Sequence, residues 1–189
     1  MGQSKEELLL HAALRLFNEY GFHGTATAKI SKEAGVSTGT LYNYFESKEV
    51  LIYKLYVYIK TDLCQYTIDR MSEGKTTVES IESLWSSMVW WAIEHPDYYK
   101  FKEAFYRSPY IEVMNKDDII EANKPLLEIA YKTMGSLMSA SEHNPLLTEY
   151  FTGALNATIN YIHNNKVEDI DLAIKNGFDL LWSGISQKM

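Results

Sequence analysis

Apolar side chains return every three or four positions along most of this chain, and the strict alternation of a β-strand is scarce. Residues 5–20 carry Leu9, Ala12, Ala13, Leu16 and Phe17 at helical intervals, with Gly21 as a C-cap. Thr25 is expected to N-cap a short helix that holds Ile30 and Ala34 and stops at Gly35. Ser37 caps a second short helix carrying Leu41 and Tyr44. Ser47 caps a much longer one, running to about Arg70, with Glu49 in its first turn where the helix dipole favours a carboxylate. Residues 77–94 are apolar nearly all round, which predicts a helix buried among others. Pro96 ends that helix and Asp97 begins another. Pro125 breaks or kinks a helical region ending near Met138, residues 141–145 form a loop, and helices over about 146–163 and 168–186 close the chain. The pattern predicts an all-α protein of about nine helices.

Two short helices joined by a glycine turn fit a helix-turn-helix. Ile30, Ala34, Val36, Leu41 and Tyr44 fall where apolar side chains would hold the pair together, and Ser31 is small where the helices pass closely. The second helix would then read the major groove. Its first turn holds Thr38, Gly39 and Thr40: glycine lets the backbone approach the bases, and threonine offers a hydroxyl and a methyl. Asn43 lies on the same face as Thr40 and suits a bidentate pair with adenine. Tyr42 and Lys48 are placed to reach phosphates, and Thr25 would add a hydroxyl and free N–H groups at a helix N-terminus. Short helices with tyrosines also occur in domains that touch no DNA, so spacing alone leaves both readings open.

Charge sharpens the division. The 189 residues carry a net charge of −7, which at first argues against nucleic acid. Residues 1–60 hold seven Lys/Arg against six Glu, net +1, and residues 61–189 hold eleven Lys/Arg against nineteen Asp/Glu, net −8. The acidity belongs to the C-terminal two-thirds. The single cysteine, Cys64, excludes an internal disulfide framework and fits a reducing cytoplasm. There is no apolar run long enough to span a membrane and no basic start followed by an apolar stretch, so neither a membrane anchor nor a secretory signal is expected.

Residues 8–51, LLLHAALRLFNEYGFHGTATAKISKEAGVSTGTLYNYFESKEVL, resemble the DNA-binding domain of the tetracycline-repressor (TetR) family. The matching elements are Leu16-Phe17, Gly21-Phe22, Thr25, Ile30, Ala34-Gly35-Val36-Ser37, Gly39-Thr40-Leu41-Tyr42, Tyr44-Phe45 and Ser47-Lys48. The resemblance implies a homodimeric one-component regulator, usually a repressor, that binds operator DNA and whose C-terminal helices take a small molecule. It implies phosphate contacts from Thr25, Tyr42 and Lys48, and base contacts from Thr38, Gly39, Thr40 and Asn43. It divides the chain into a DNA-binding domain over 1–50 and a ligand-binding and dimerisation domain over 51–189. Two departures stand out: Ser31 replaces the family's usual alanine, and the N-terminal arm offers only Lys5 and Arg15.

Residues 85–138 are rich in aromatics and methionine, and most of these side chains are expected to be core. Ligand sites are apolar clefts with a few polar groups, so Trp85, Met88, Phe105, Tyr106, Tyr131 and Met134 are candidates to line a pocket for an aromatic or apolar effector. Gly153 and Ala157, and likewise Ala173 and Gly177, stand four residues apart beside Phe178 and Leu181. Small residues let helices approach, which suggests a four-helix dimer interface; the alternative is that both helices pack only within one subunit. The five histidines make no i, i+4 pair and no Glu-x-x-His, and no nucleophile has an evident base, so no metal, cofactor or enzymatic activity is expected. Two rivals remain: a regulator without a small-molecule effector, controlled by a protein partner, and a helical enzyme.

Overall fold

The computed structural model describes residues 3–72, 74, 76–113, 124–125, 128 and 145–186, and all regular structure among them is helical. The elements are α1 (Lys5–Gly24), α2 (Thr27–Glu33), α3 (Thr38–Tyr44), α4 (Lys48–Arg70), α5 (Thr77–Glu94), α6 (Pro96–Tyr106), α7 (Tyr110–Val113), α8 (Pro145–Asn164) and α9 (Ile170–Ser186). The helical region expected to end near Met138 lies almost wholly outside the described residues.

Local chemistry sets most boundaries. Ser4 and Glu7 form a reciprocal capping box at the start of α1, with Glu7 N donating to Ser4 Oγ at 3.1 Å and Ser4 N donating to Glu7 Oε2 at 2.8 Å. Regular α1 geometry breaks at Gly21, whose φ of 72° an L side chain adopts only at a cost. Thr76 and Glu79 make a second capping box ahead of α5. Pro96 occupies the first turn of α6, where a missing N–H leaves no hydrogen bond unmade.

The chain forms two compact units. The first comprises residues 1–62 and 95–123, the second residues 63–94 and 124–189. In the first, Leu9, Leu16, Phe17, Ile30, Leu41, Phe45, Leu51, Leu55 and Phe101 are buried. Phe17 and Phe22 of α1 pack on Phe101 of α6 with ring centroids 6.3 and 5.5 Å away. Asn18 fixes the same crossing by donating from Nδ2 to the Asp97 carbonyl at 2.9 Å.

In the second unit α5, α8 and α9 surround Trp85. Its ring is fully buried, meets Phe151 edge-on at 5.6 Å and lies 6.2 Å from Phe178. Its Nε1 donates to the Ile174 carbonyl at 3.1 Å, so the polar end of the indole is satisfied without water. Helices α8 and α9 run antiparallel and very close. A Cβ on Gly177 would stand 2.3 Å from Thr158 Oγ1, and one on Gly184 would stand 2.9 Å from the Tyr150 hydroxyl.

Candidate nucleic-acid interface and its neighbours

Helices α2 and α3 owe their angle to the turn between them. Val36 N donates to Ser31 O at 2.9 Å and Gly35 N to Lys32 O at 3.2 Å, the two bonds of a Schellman cap. That cap needs a left-handed residue, and Gly35 has φ +69°. Ser31, in place of an alanine, is buried and turns its hydroxyl back to the Thr27 carbonyl at 3.0 Å, so it adds no unsatisfied group to the crossing. Ile30 and Leu41 are fully buried between the helices.

With Leu41 inward, α3 presents Thr38, Gly39, Tyr42, Asn43 and Tyr44 to solvent. Thr40 is half-buried, and its N–H donates to the capping Ser37 Oγ at 3.1 Å. A Cβ on Gly39 would meet nothing closer than Ser37 Oγ at 3.8 Å. The fold therefore does not require glycine there, although glycine inside a helix costs about 1 kcal/mol. Something outside the chain is the natural reason for it. Lys48 opens α4 half-buried, just after Ser47, whose Oγ accepts from Val50 N at 3.2 Å. The neighbouring Glu49 carboxyl is held below the usual carboxylate range by its backbone N–H first and the Ser47 hydroxyl second.

Thr25 is not where the sequence suggests. The N-cap of α2 is Ala26, with no side-chain cap bond. Thr25 instead closes α1: fully buried, its Oγ1 donates toward the Leu16 and Gly21 carbonyls at 3.1 and 2.8 Å. Its side chain cannot reach a phosphate in this state. On the outside, Thr27 Oγ1 lies 3.1 Å from the exposed Tyr42 hydroxyl, joining α2 to α3 through two groups able to bind one oxyanion. In the run Thr25-Ala26-Thr27 the two threonines are indistinguishable by capping propensity, so the sequence does not single out Thr27. The exposed Tyr44 was missed as a surface residue because it falls at a helical interval from Leu41. Of the arm residues, Arg15 is paired with Glu33.

The pocket candidates separate. In the first unit Phe105 is fully buried, stacked on Tyr56 at 4.5 Å, while the exposed Tyr106 lies with its hydroxyl 3.0 Å from that of Tyr56. In the second unit Trp85 is fully buried and Met88 half-buried. Trp85 and Phe105 are thus enclosed by their own units in this state. Tyr131 and Met134 lie outside the described residues.

The dimer candidates also divide. Gly153 and Ala157 are exposed, and a Cβ on Gly153 would meet nothing within 4 Å. Gly177, by contrast, serves the close approach to Thr158 of its own chain, and Phe178 and Leu181 are buried in the same unit. Within the single chain, then, half-buried Gly177 and buried Phe178 and Leu181 are engaged by their own unit. Among the described residues no group of three His, Cys, Asp or Glu could hold a metal ion, and no helix is long and apolar enough to cross a membrane.

An all-helical chain with an N-terminal helix-turn-helix defines a class of DNA-binding regulators, and comparison narrows it. The family of bacterial regulatory proteins named tetR matches residues 9–54. A solved TetR-family transcription regulator from Shewanella sp. PV-4 superposes with a TM-score of 0.83 at 26% identity, covering 96% of this chain and 98% of its own. Residues 9–54 are thus a DNA-binding domain of the TetR family, and the whole chain shares the fold of a TetR-family regulator. The HTH-type transcriptional regulator YuxN of Bacillus subtilis is 30% identical over 114 residues, 58% of this chain but 38% of that protein, so the chain spans well under half the length of that relative. The transcriptional regulator FadR of Bacillus subtilis, solved in complex with stearoyl-CoA, shares the fold with a TM-score of 0.76 at 22% identity over 94% of this chain and 98% of its own.

Proposed function

We propose that this protein is a homodimeric, sequence-specific DNA-binding transcriptional regulator, a repressor released from its operator by a small molecule. The observation that carries the reading is the face of α3: Leu41 buried beneath it, and Thr38, Gly39 and Asn43 exposed on it with no partner among the described residues that calls for those residue types. Residues 1–50 form the DNA-binding part and 51–189 the effector and dimerisation part. Thr38, Gly39, Thr40 and Asn43 face bases. Tyr42, Lys48 and the Thr27 hydroxyl hold phosphates; the Thr25 position contributes by closing α1 beneath them.

The dimer seam in this reading is the outer face of α8 and α9. Leu146, Tyr150 and Tyr161 are exposed on α8 with Gly153 and Ala157 between them, and Leu172 and Leu180 are exposed on α9. These positions recur at helical spacing on one face, and large exposed apolar patches mark interaction surfaces.

The effector in this reading is a molecule with an aromatic or apolar body. A second reading has one supporting observation: Trp85 and Phe105 are fully buried, as expected of a regulator that holds no effector and answers to a protein partner. Selecting bound fragments from a random DNA pool tests the first claim. A pseudo-palindromic consensus with half-sites one helical turn apart is expected, and recovery of unrelated sequences alone would overturn it. Release of the selected fragment by a small molecule separates the two readings.

A further inference from the structure

One charged side chain of the first unit is buried beside a carboxylate that a second cation also claims. Lys102, on α6, is 8% exposed. Its ammonium faces the rings of Tyr99 and Tyr106, 5.2 and 5.7 Å from their centroids. The nearest carboxylate, Glu103, stands 3.7 Å from Lys102 Nζ, too far for a hydrogen bond, and it is also claimed by the exposed Arg107 at 3.1 Å. Two cations share one carboxylate, so the cluster keeps one positive charge. Burial pushes the lysine below its ordinary range despite the pull of Glu103. Lys60 on α4 is equally buried but has an interaction of its own elsewhere in the chain, so it does not share this condition.

Two tyrosine hydroxyls complete the cluster. Those of Tyr56 and Tyr106 lie 3.0 Å apart. When Tyr56 donates, the Tyr106 proton is available to a ligand oxygen. Tyr106 is 39% exposed through its ring, while burial and the Tyr56 hydroxyl raise its own hydroxyl above the ordinary tyrosine range. Two aromatic faces, a hydroxyl and an ammonium whose contact with Glu103 is long form a site of defined chemistry.

We propose that Lys102 and Tyr106 anchor the headgroup of an amphipathic monocarboxylate, whose apolar or aromatic body is the part the rest of the effector site recognises. A single residual charge matches a monoanion, and a carboxylate has two oxygens for the ammonium and the hydroxyl. This rests on the effector-controlled reading above and narrows its ligand to acids.

The test uses the full-length protein and defined probes: decanoate, decyl phosphate and decanol, with 4-phenylbutyrate and 4-phenylbutanol as an aromatic pair. Calorimetry and the thermal midpoint report binding; fluorescence anisotropy of a selected DNA fragment reports release. A carboxylate is expected to bind on the order of tenfold or more tighter than its alcohol. Lys102→Met should remove that preference, leave the alcohol unaffected, and raise the midpoint of the ligand-free protein, because an uncompensated buried charge is gone. Lys102→Arg should keep the preference. A purely structural ion pair with Glu103 predicts the opposite, a lowered ligand-free midpoint in Lys102→Met. Equal binding of acid and alcohol, undiminished acid binding by Lys102→Met, tighter binding of the phosphate, or no carboxylate binding at millimolar concentration each overturns the proposal. If Lys102→Met does not fold, Tyr106→Phe, with the ring kept, should still weaken the acid and spare the alcohol, and an unchanged preference overturns the anchor. An acid held through Lys102 that leaves DNA bound would sustain the anchor and sink the effector reading. A molecule that releases DNA equally from wild type and Lys102→Met would do the reverse.

Discussion

Asn43 and Lys48 are both polar, both near the start of the reading surface, and should fail differently. Asn43 is exposed on the free face of α3 with a side chain able to pair with one base edge. Asn43→Ala is therefore expected to cost about 1–3 kcal/mol on the selected sequence and to relax one base position per half-site. Lys48 reaches only phosphate in this reading, so Lys48→Ala should weaken every sequence about equally and lower the salt slope by about one. Anisotropy titrations on selected and scrambled fragments at several salt concentrations measure both. An unchanged selected-to-scrambled ratio for Asn43→Ala would remove it from base readout. Thr25 behaves unlike either. Its hydroxyl closes the carbonyls of Leu16 and Gly21 in the interior. Thr25→Val should cost roughly 1–3 kcal/mol of folding stability through the buried carbonyls left unmade, and in denaturant titration the loss should appear in stability ahead of DNA affinity at low temperature.

At the level of elements, the turn between α2 and α3 is the narrowest constraint. Gly35 supplies a positive φ with open space around it, so a methyl would clash with nothing and strain only its own backbone. Gly35→Ala is expected to cost about 1–2 kcal/mol and to reduce DNA affinity as the helix angle relaxes; Gly35→Asn, which tolerates that conformation better, should recover much of it. Thermal melts of the two variants check the order. This turn was legible in the sequence because glycine, apolar spacing and a serine cap all point to one geometry. The helix borders were legible for the same reason: α5 and α6 divide at Pro96, as the missing N–H dictates. The inward turn of Thr25 was not legible, since it depends on where α1 breaks in three dimensions. Nor was the fate of Gly177. A four-residue spacing of small side chains says that some helix comes close, and Thr158 of the same chain proves to be on it. Trp85 and Phe105 were ambiguous for a related reason: an aromatic that packs and one that waits for a ligand have the same letter, and here both rings are fully enclosed.

Over the whole molecule the dimer and the DNA are one question. A monomer grips a single half-site; a dimer makes the second contact intramolecular, at an effective concentration that raises affinity about 10²–10⁴-fold without any new contact. The proposed seam would put that gain on the outer face of α8 and α9. Leu180 is 74% exposed there and touches no core that its replacement would disturb. Leu180→Glu should set like charges against each other across a two-fold axis, where one substitution counts twice. Sedimentation is expected to shift from dimer to monomer while circular dichroism stays helical. Affinity for the full pseudo-palindrome should then fall to that for a single half-site, with affinity for the isolated half-site unchanged. Gly177→Leu is the internal control. Its side chain would meet Thr158 within one subunit, so overpacking should lower folding stability by about 1–3 kcal/mol with no specific loss of dimer in whatever remains folded. A Leu180→Glu protein that still sediments as a dimer and holds the full operator at wild-type affinity would place the seam elsewhere on the molecule.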